Sequence, residues 1–192
     1  MQFFQQPDSE LIHAYIHGHE TALEVLINRY KDKVYTSIYM LVKDKYLAED
    51  IFQDAFLKMI KTIKDGRYAE QGKFLPWAIR VAHNLCMDHF RRSKQQIPIT
   101  FPDGQDISNL FGAGDLVADG IEKRQVHDSV RKLVEELPEE QREVIVLRIY
   151  ADLSFKEISD LTGVSINTAL GRMRYALINL RKMIADKQMV LR

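Results

Sequence analysis

The chain has 192 residues, of which 46% are hydrophobic, so it is long enough to build one or two small domains with apolar cores. Lysine plus arginine and aspartate plus glutamate both total 27, which makes the net charge zero. No global field therefore draws nucleic acid to the chain, and any DNA binding must be local or assisted by a partner. The single cysteine excludes an intramolecular disulfide and is typical of a reducing cytoplasm.

The N-terminus and the apolar runs predict a soluble, cytoplasmic protein. The first residues lack the basic start and the apolar core of a signal peptide. The longest apolar runs, such as 144–147, are far too short to cross a bilayer.

Helical periodicity continues through nearly the whole chain and no alternating strand pattern persists, which predicts an all-α fold. Asp8 or Ser9 can cap a first helix that ends at Ile16. The next helices are expected at about 19–42, 47–63 and 75–93.

The helix at 47–63 is expected to be apolar on one side and acidic on the other. Its polar surface carries Asp50, Gln53 and Asp54. The opposite, apolar side is expected to include Ile51, Phe52 and Leu57. Such a helix either has a solvated acidic face or docks on a basic partner.

Basic and aromatic residues concentrate between Arg67 and Lys94. On a helical wheel, Trp77 shares the polar side of the fourth helix with Arg80 and Asn84. Aromatic and amide groups placed in this way can stack on or hydrogen-bond an unstacked base, while arginines hold the phosphates. The alternative interpretation makes Trp77 a rim residue that covers a small core.

Cys86 lies between His83 and His89, a pattern that suggests a metal site. The wheel separates the two histidines by about 120°, however, and no second cysteine can supply a further ligand. A buried structural thiol is the favoured interpretation. The sequence also lacks a nucleophile elbow, a phosphate loop and an HExxH motif, so we expect no catalytic site, metal or cofactor.

The composition changes between Ile97 and Gly120, where proline, glycine and aspartate accumulate and lysine and arginine are absent. This segment predicts a flexible acidic linker between two small helical domains. The domains are expected to move independently unless a partner or direct packing holds them. Helical periodicity resumes at 121–136 and restarts after Pro138.

The stretch from Ser154 to Thr168 predicts a helix-turn-helix, because it encodes two capped helices joined by a glycine turn. Ser154 and Glu157 can form a capping box. Gly163 can adopt the left-handed conformation of the turn. Ser165 then caps a longer helix.

The longer helix is expected to pack through one apolar face and to leave a second face free. The expected core face consists of Ile166, Ala169, Leu170, Met173, Leu177, Leu180 and Ile184. The opposite face, suited to a major groove, carries Thr168, Gly171, Arg172, Tyr175 and Lys182. An ordinary α-hairpin with a solvated basic face is the alternative.

Three segments in this order resemble regions of the extracytoplasmic-function sigma factors, the smallest members of the bacterial sigma-70 family. Ala48–Phe56 looks like region 2.2, Phe74–Arg92 like regions 2.3 and 2.4, and Leu137–Arg148 with the helix-turn-helix like region 4. The resemblance implies a subunit that binds core RNA polymerase, recognises the minus-ten and minus-thirty-five promoter elements and helps to open the duplex. Such factors dock on polymerase first, so their own affinity for DNA can be weak and a net charge of zero is tolerable.

The resemblance implies a domain division and a set of interface residues. Region 2 would occupy 1–95, the linker 96–120 and region 4 residues 121–192. The implied polymerase-binding residues are Asp50, Gln53, Asp54 and Phe56. The implied minus-ten residues are Arg67, Tyr68, Lys73, Trp77, Arg80, Asn84, Arg91 and Arg92. The implied minus-thirty-five residues are Ser165, Asn167, Thr168, Gly171, Arg172, Arg174 and Tyr175.

The resemblance further implies promoter DNA and an anti-sigma protein as partners, and no small-molecule substrate. The recognition helix departs from many relatives at Ala169-Leu170-Gly171, so base-specific roles are not transferred to it.

Two other classes of protein remain open on the residues alone. A stand-alone transcriptional regulator would use the same helix-turn-helix and bind duplex DNA tightly as the pure protein. A nucleic-acid enzyme would use the aromatic and basic face of the first domain and show turnover that depends on a divalent metal.

Overall fold

A computed structural model describes residues 5–69, 72–95 and 129–187, and all regular structure within these ranges is helical. The first group of helices comprises α1 (Asp8–Ile16), α2 (Glu20–Val42), α3 (Lys45–Lys64) and α4 (Phe74–Gln95). The second group comprises α5 (129–135), α6 (Glu139–Ile145) with a π-helical turn (Val146–Tyr150), α7 (Phe155–Thr162) and α8 (Ile166–Asp186). The all-α prediction is confirmed, whereas the expected linker 96–120 lies outside the described residues.

The first group packs because α2, α3 and α4 each direct an apolar stripe toward a shared core. Leu26, Ile38, Met59 and Ile79 are almost completely inaccessible to solvent in this core. Asp44 caps α3 by accepting a hydrogen bond from the backbone N–H of Leu47 at 3.0 Å. This cap is not among those predicted from the sequence.

The N-terminal helix is anchored by ionic contacts rather than by the expected cap. Pro7 occupies the N-cap position of α1, so the prediction that Asp8 or Ser9 caps it is wrong. Asp8 instead accepts hydrogen bonds from Arg29 at 2.5 Å and from the Tyr30 hydroxyl at 2.6 Å. Its carboxylate therefore joins α1 to α2.

The second group contains the predicted helix-turn-helix. The capping box of α7 is complete, since Ser154 Oγ accepts from the Glu157 amide and the Glu157 carboxylate accepts from the Ser154 amide. Gly163 ends α7 with φ at 73°, and the Ser165 hydroxyl caps α8 through the Thr168 amide at 3.0 Å. All three local predictions are confirmed.

Helix α8 is rotated about its axis relative to the expected core face. Ala169 and Ala176 are fully buried, whereas Ile166, Leu170 and Leu177 are 43%, 44% and 38% exposed. The alanines allow α8 to approach its neighbouring helices closely, and this contact turns the larger apolar residues toward solvent. The expectation that all seven apolar positions form the core face is therefore wrong at these three positions.

The two groups of helices pack directly on each other, with α2 against the π-helical turn. Their buried apolar residues form one continuous core cluster. Lys33 Nζ donates to Asp152 at 2.7 Å across this junction, and the Arg131 guanidinium lies 5.7 Å from the centre of the Tyr39 ring. The two domains were expected to move independently unless a partner or direct packing held them. In this structure direct packing holds the described helices of the two groups together.

Within the described ranges, no helix combines the length and the hydrophobicity needed to span a membrane.

Candidate docking and nucleic-acid interfaces

The outer face of α3 carries the acidic residues expected to meet a partner. Asp50, Gln53 and Asp54 are exposed along this face, while Ile51 and Ala55 are buried beneath it. One helix turn separates Asp50 from Asp54, so their carboxylates lie on the same stripe.

Two apolar residues of α3 occupy positions that differ from those expected. Phe56 is only 8% exposed and its ring centre lies 4.7 Å from that of Phe52, so it supports the α3 surface from the core and does not present a contact. Leu57 is 66% exposed and belongs with Asp50 and Asp54 on the outer side. We call Asp50, Gln53, Asp54 and Leu57 the α3 surface.

Aromatic rings cluster where the residues 67–69 meet the start of α4. The Trp77 ring lies 4.4 Å from that of Tyr68 and 5.6 Å from that of Phe74, measured between centroids. Phe74 is buried, whereas Tyr68 and Trp77 are each half-buried. Trp77 therefore covers part of the core while remaining partly accessible, and its contact with DNA stays a prediction.

Tyr30 supports this aromatic cluster from behind. Its ring centre lies 5.5 Å from that of Phe74, and its hydroxyl donates to Asp8. Burial, together with the hydrogen bond to Asp8, raises the pKa of Tyr30 to about 12.

The cationic and amide side chains expected at the same surface are accessible. Arg80 and Asn84 are exposed one turn apart on α4, and Arg91 and Arg92 are exposed farther along. Arg67 donates to Asp65 at 2.6 Å, and Arg91 pairs with Asp88. We give the name strand site to a set of eight residues: Arg67, Tyr68, Lys73, Trp77, Arg80, Asn84, Arg91 and Arg92.

A cleft of about 480 Å³ separates the strand site from the second group of helices. One wall contains Arg67, Lys73 and Arg80, and the opposite wall contains Glu157 and Asp160 of α7. Lys73 Nζ donates to Glu157 Oε1 at 3.2 Å across the cleft. Burial favours a higher pKa for Glu157, but hydrogen bonds from Ser154 and Lys73 outweigh it and hold the pKa below its usual range. This cleft could not be found from sequence, because its walls lie far apart along the chain.

Cys86 and His83 both lie inside the molecule, and His83 pairs with Glu143. The Cys86 thiol is fully buried, and burial raises its pKa to about 12, as expected for an inert thiol. His83 is 5% exposed, and its Nε2 lies 2.8 Å from Glu143 Oε1 on α6. Among residues 5–69, 72–95 and 129–187, no group of three potential ligands is placed to hold a metal ion.

Most of the residues expected to read DNA lie on the accessible side of α8. Asn167, Thr168, Arg174 and Tyr175 are exposed. A Cβ atom placed at Gly171 would meet no atom within 4 Å beyond the backbone of its own helix, so this position opens outward. The Ser165 hydroxyl is engaged by Thr168, whose own hydroxyl lies 2.9 Å away.

Arg172 faces a different direction from its expected neighbours. Its guanidinium lies 3.2 Å from Glu140 and 3.9 Å from Glu143, both on α6. The prediction that Arg172 lies on the free face of α8 is wrong in this structure, because the rotation of α8 turns the residue toward α6. Its side chain is largely covered and binds α6.

Family models for Sigma-70 region 2 and for Sigma-70 region 4 match residues 26–96 and 127–175, respectively. The sigma factor SigW of Bacillus subtilis, an ECF RNA polymerase sigma factor, is 28% identical over 88% of this chain and 92% of its own length. The RNA polymerase sigma factor CarQ of Myxococcus xanthus is 27% identical over 90% of this chain and 94% of its own length.

Two solved structures share the fold. CnrH, in complex with the cytosolic domain of CnrY, superposes with a TM-score of 0.63 at 20% identity, over 94% of this chain and 99% of its own. The sigma factor RpoE of Bartonella quintana, in complex with the anti-sigma factor NepR, superposes with a TM-score of 0.65 at 16% identity, over 85% of this chain and 96% of its own. Both family models thus fall, in the expected order, on the helices that carry the α3 surface, the strand site and the helix-turn-helix. The chain belongs to the sigma-70 family as an extracytoplasmic-function sigma factor, and it binds core RNA polymerase and directs promoter-specific transcription initiation.

Proposed function

We propose that three separate surfaces divide the work of initiation. The α3 surface binds core RNA polymerase, the strand site holds the opened minus-ten element, and the outer side of α8 reads the minus-thirty-five element. In this assignment residues 1–95 and 121–192 act as two functional domains, and 96–120 connects them.

One observation supports the strand site above all. Trp77 and Tyr68 pack together and are only half-buried, and Arg80 and Asn84 are exposed farther along α4. An unpaired base can stack on such rings and bind the amide, while the guanidinium holds the neighbouring phosphate. A duplex offers its bases no such access, so this arrangement favours single-stranded DNA.

The α3 surface has the composition of a protein-docking site. Asp50 and Asp54 can attract a basic partner to this surface. Leu57 is exposed to solvent in the free protein and can supply apolar contact area to the partner. Polymerase binding at this surface requires no rearrangement of α3, because the side chains are already accessible.

The outer side of α8 suits contact with a major groove. Arg174 can reach a phosphate or a guanine edge, and Gly171 permits close approach of the backbone. Arg172 does not belong to this surface in our proposal, since its guanidinium binds Glu140 and Glu143.

We also propose that an anti-sigma protein controls this factor. CnrH and RpoE, which share the fold, were each solved with a bound protein, and NepR is an anti-sigma factor. The factor would act in the cytoplasm, where polymerase meets promoters, and would have no catalytic activity of its own.

The test is transcription of sheared genomic DNA by purified core polymerase with and without the full chain. Sequencing of the 5′ ends should give a discrete set of starts only when the chain is present. The same upstream sequences should recur at these starts. An unchanged set of starts would contradict the proposal, and tight duplex binding by the pure protein would favour a stand-alone regulator.

A further inference from the structure

We infer that Tyr30 is a positioning residue of the strand site. Its hydroxyl binds Asp8, its ring packs on Phe74, and through Phe74 it holds the ring of Trp77 in the orientation that receives an unpaired base. The inference rests on the proposed function of the strand site and adds one residue each of α1 and α2 to its support. In this assignment Asp8 and Tyr30 act through the aromatic rings and not by contact with DNA.

Both carboxylate oxygens of Asp8 accept hydrogen bonds from α2. Oδ1 accepts from Arg29 at 2.5 Å, and Oδ2 accepts from the Tyr30 hydroxyl at 2.6 Å. The Asp8 side chain is 15% exposed, and Arg29 also donates to the backbone carbonyl of Gln6 at 2.9 Å. A hydroxyl that donates to an ionised carboxylate forms a short, strong hydrogen bond. The Tyr30 hydroxyl is therefore fixed in place relative to α1.

The Tyr30 ring is held at a second point by Phe74. The two ring centres are 5.5 Å apart and the planes are inclined by 35°. This separation lies in the range over which aromatic rings attract each other. Since its hydroxyl and its ring are both engaged, Tyr30 has little freedom to rotate and offers Phe74 a fixed surface.

Phe74 passes this position on to the rings of the strand site. It is the first residue of α4 and is only 3% exposed. Its ring centre lies 5.6 Å from that of Trp77 and 6.1 Å from that of Tyr68, and these two lie 4.4 Å from each other. Side chains packed this closely cannot shift singly. A displacement of Phe74 must therefore change the placement of Trp77 and Tyr68.

Ring orientation affects strand binding because a base stacks on one face of a ring. A ring that is fixed before binding loses less conformational freedom when the base arrives. If the ring instead samples several orientations, the apparent affinity falls in proportion to the competent fraction. The α3 surface includes none of these residues, so the effect should be confined to DNA.

The experiment measures binding of a fluorescent single strand by the holoenzyme. The strand carries the minus-ten element of a promoter found by sequencing 5′ ends. Tyr30→Phe keeps the ring and removes the hydrogen bond to Asp8. If the competent arrangement falls to about a fifth of the population, affinity for the strand falls about fivefold. Affinity for core polymerase should not change.

Tyr35→Phe is the matched control. It removes a hydroxyl from another partly buried ring of α2, and that ring lies 5.7 Å from Phe52 of α3. Its holoenzyme should bind the strand like the wild type.

The fluorescence of the free protein separates positioning from general stability. The chain contains a single tryptophan, so tryptophan emission reports Trp77 alone. Tyr30→Phe should increase quenching of this emission by acrylamide at a temperature far below unfolding. A residue that only stabilises the fold would lower the unfolding temperature and leave quenching of the folded protein unchanged.

Variants of Asp8 test whether it acts through Tyr30. Asp8→Ala removes the acceptor and should weaken strand binding as Tyr30→Phe does. Asp8→Asn keeps an acceptor oxygen for the hydroxyl and should retain most of the affinity. Asp8→Ala combined with Tyr30→Phe should bind the strand no more weakly than either single variant, because both changes remove the same hydrogen bond.

Unchanged strand affinity in Tyr30→Phe overturns the inference, whatever the quenching of Trp77. A loss of affinity without a change in quenching overturns it as well, and so do additive losses in the double variant. Trp77→Ala separates the inference from the function on which it rests. If Trp77→Ala weakens strand binding and Tyr30→Phe does not, the inference fails while the strand site stands. Normal strand binding by Trp77→Ala contradicts the strand site itself, and the inference with it.

Discussion

Nε2 of His83 donates a hydrogen bond to Oε1 of Glu143 at 2.8 Å and thereby joins α4 to α6. His83 directly precedes Asn84, the exposed amide of the strand site. The other carboxylate oxygen of Glu143 lies 3.9 Å from Arg172 on α8. One carboxylate thus contacts both helices proposed to bind DNA, and it does so from the inside of the molecule.

Two substitutions of Glu143 should distinguish the contribution of its hydrogen bond to stability from the contribution of its charge. Glu143→Ala leaves the buried His83 nitrogen without its partner, and we expect a loss of about 1–3 kcal/mol in the free energy of unfolding. Glu143→Gln keeps an acceptor for the imidazole and should lose less. Urea denaturation followed by circular dichroism measures both. Equal stability of the alanine variant and the wild type would mean that this contact does not stabilise the packed form.

The α3 surface should determine affinity for core polymerase. Asp50→Lys with Asp54→Lys reverses its charge, and we expect weaker binding with little change in thermal stability, because both side chains are exposed. Co-purification with core polymerase and a titration by fluorescence anisotropy measure the effect. The matched control, Glu24→Lys with Asp32→Lys, makes the same charge change at exposed positions of α2. Retention of full affinity by the α3 variant would rule out this docking surface.

Leu57 should contribute to the same interface through apolar contact. Leu57→Ala removes a side chain that is 66% exposed, so the fold should lose little while polymerase affinity falls. Phe56→Ala is the informative comparison, because this residue is buried and its loss should unfold the domain at a lower temperature. Polymerase affinity that is insensitive to Leu57 would place the contact elsewhere on α3.

Asn84 and Trp77 should act in strand opening rather than in duplex binding. Replacing either with alanine should cost on the order of 1–3 kcal/mol in contact with the opened strand. Permanganate footprints of the promoter bubble report the loss. Asn84 gives the cleaner result, since Trp77 also covers Phe74 and thermal unfolding must be measured beside it. Normal bubbles in both variants would leave Trp77 with a structural role only.

Gly171 tests whether α8 enters the groove. A Cβ atom at this position has no neighbouring atom within 4 Å beyond the backbone of its own helix, so we expect Gly171→Leu to fold normally and bind polymerase. It should nevertheless abolish use of the upstream element if the helix approaches DNA closely. Arg174→Ala should reduce transcription from promoters that depend on this element, whereas Arg172→Ala should chiefly lower stability, because it releases Glu140. Normal upstream recognition by Gly171→Leu and Arg174→Ala would remove α8 from the DNA interface.

The Tyr30 hydroxyl should make stability depend on pH in the alkaline range. Its pKa rises from 10.0 to about 12 in the folded protein, so the folded state holds the proton more tightly than the unfolded state. The resulting contribution to stability is fully present below pH 10 and is lost as the pH rises through about 12. The difference in unfolding free energy between the wild type and Tyr30→Phe should therefore shift in this window. A difference that is constant from pH 9 to 12 would contradict the raised pKa.

Local features of the chain could be predicted from sequence because neighbouring residues determine them. The capping box of Ser154 and Glu157, the left-handed turn at Gly163 and the cap at Ser165 each depend on side chains and amides within a few positions. The burial of Cys86 followed from helical periodicity in the same way. The order of the family's segments then indicated the sigma-70 family, and with it the function of the chain.

The tertiary structure decided which side of a helix is available. Arg172 turns toward α6, Leu57 faces solvent, and Phe56 lies in the core, because contacts between helices set the rotation of each helix about its axis. A helical wheel contains the spacing of residues along one helix but not the shape of its neighbours. The cleft between the strand site and α7 and the contact between His83 and Glu143 join residues far apart in sequence, and only packing brings them together.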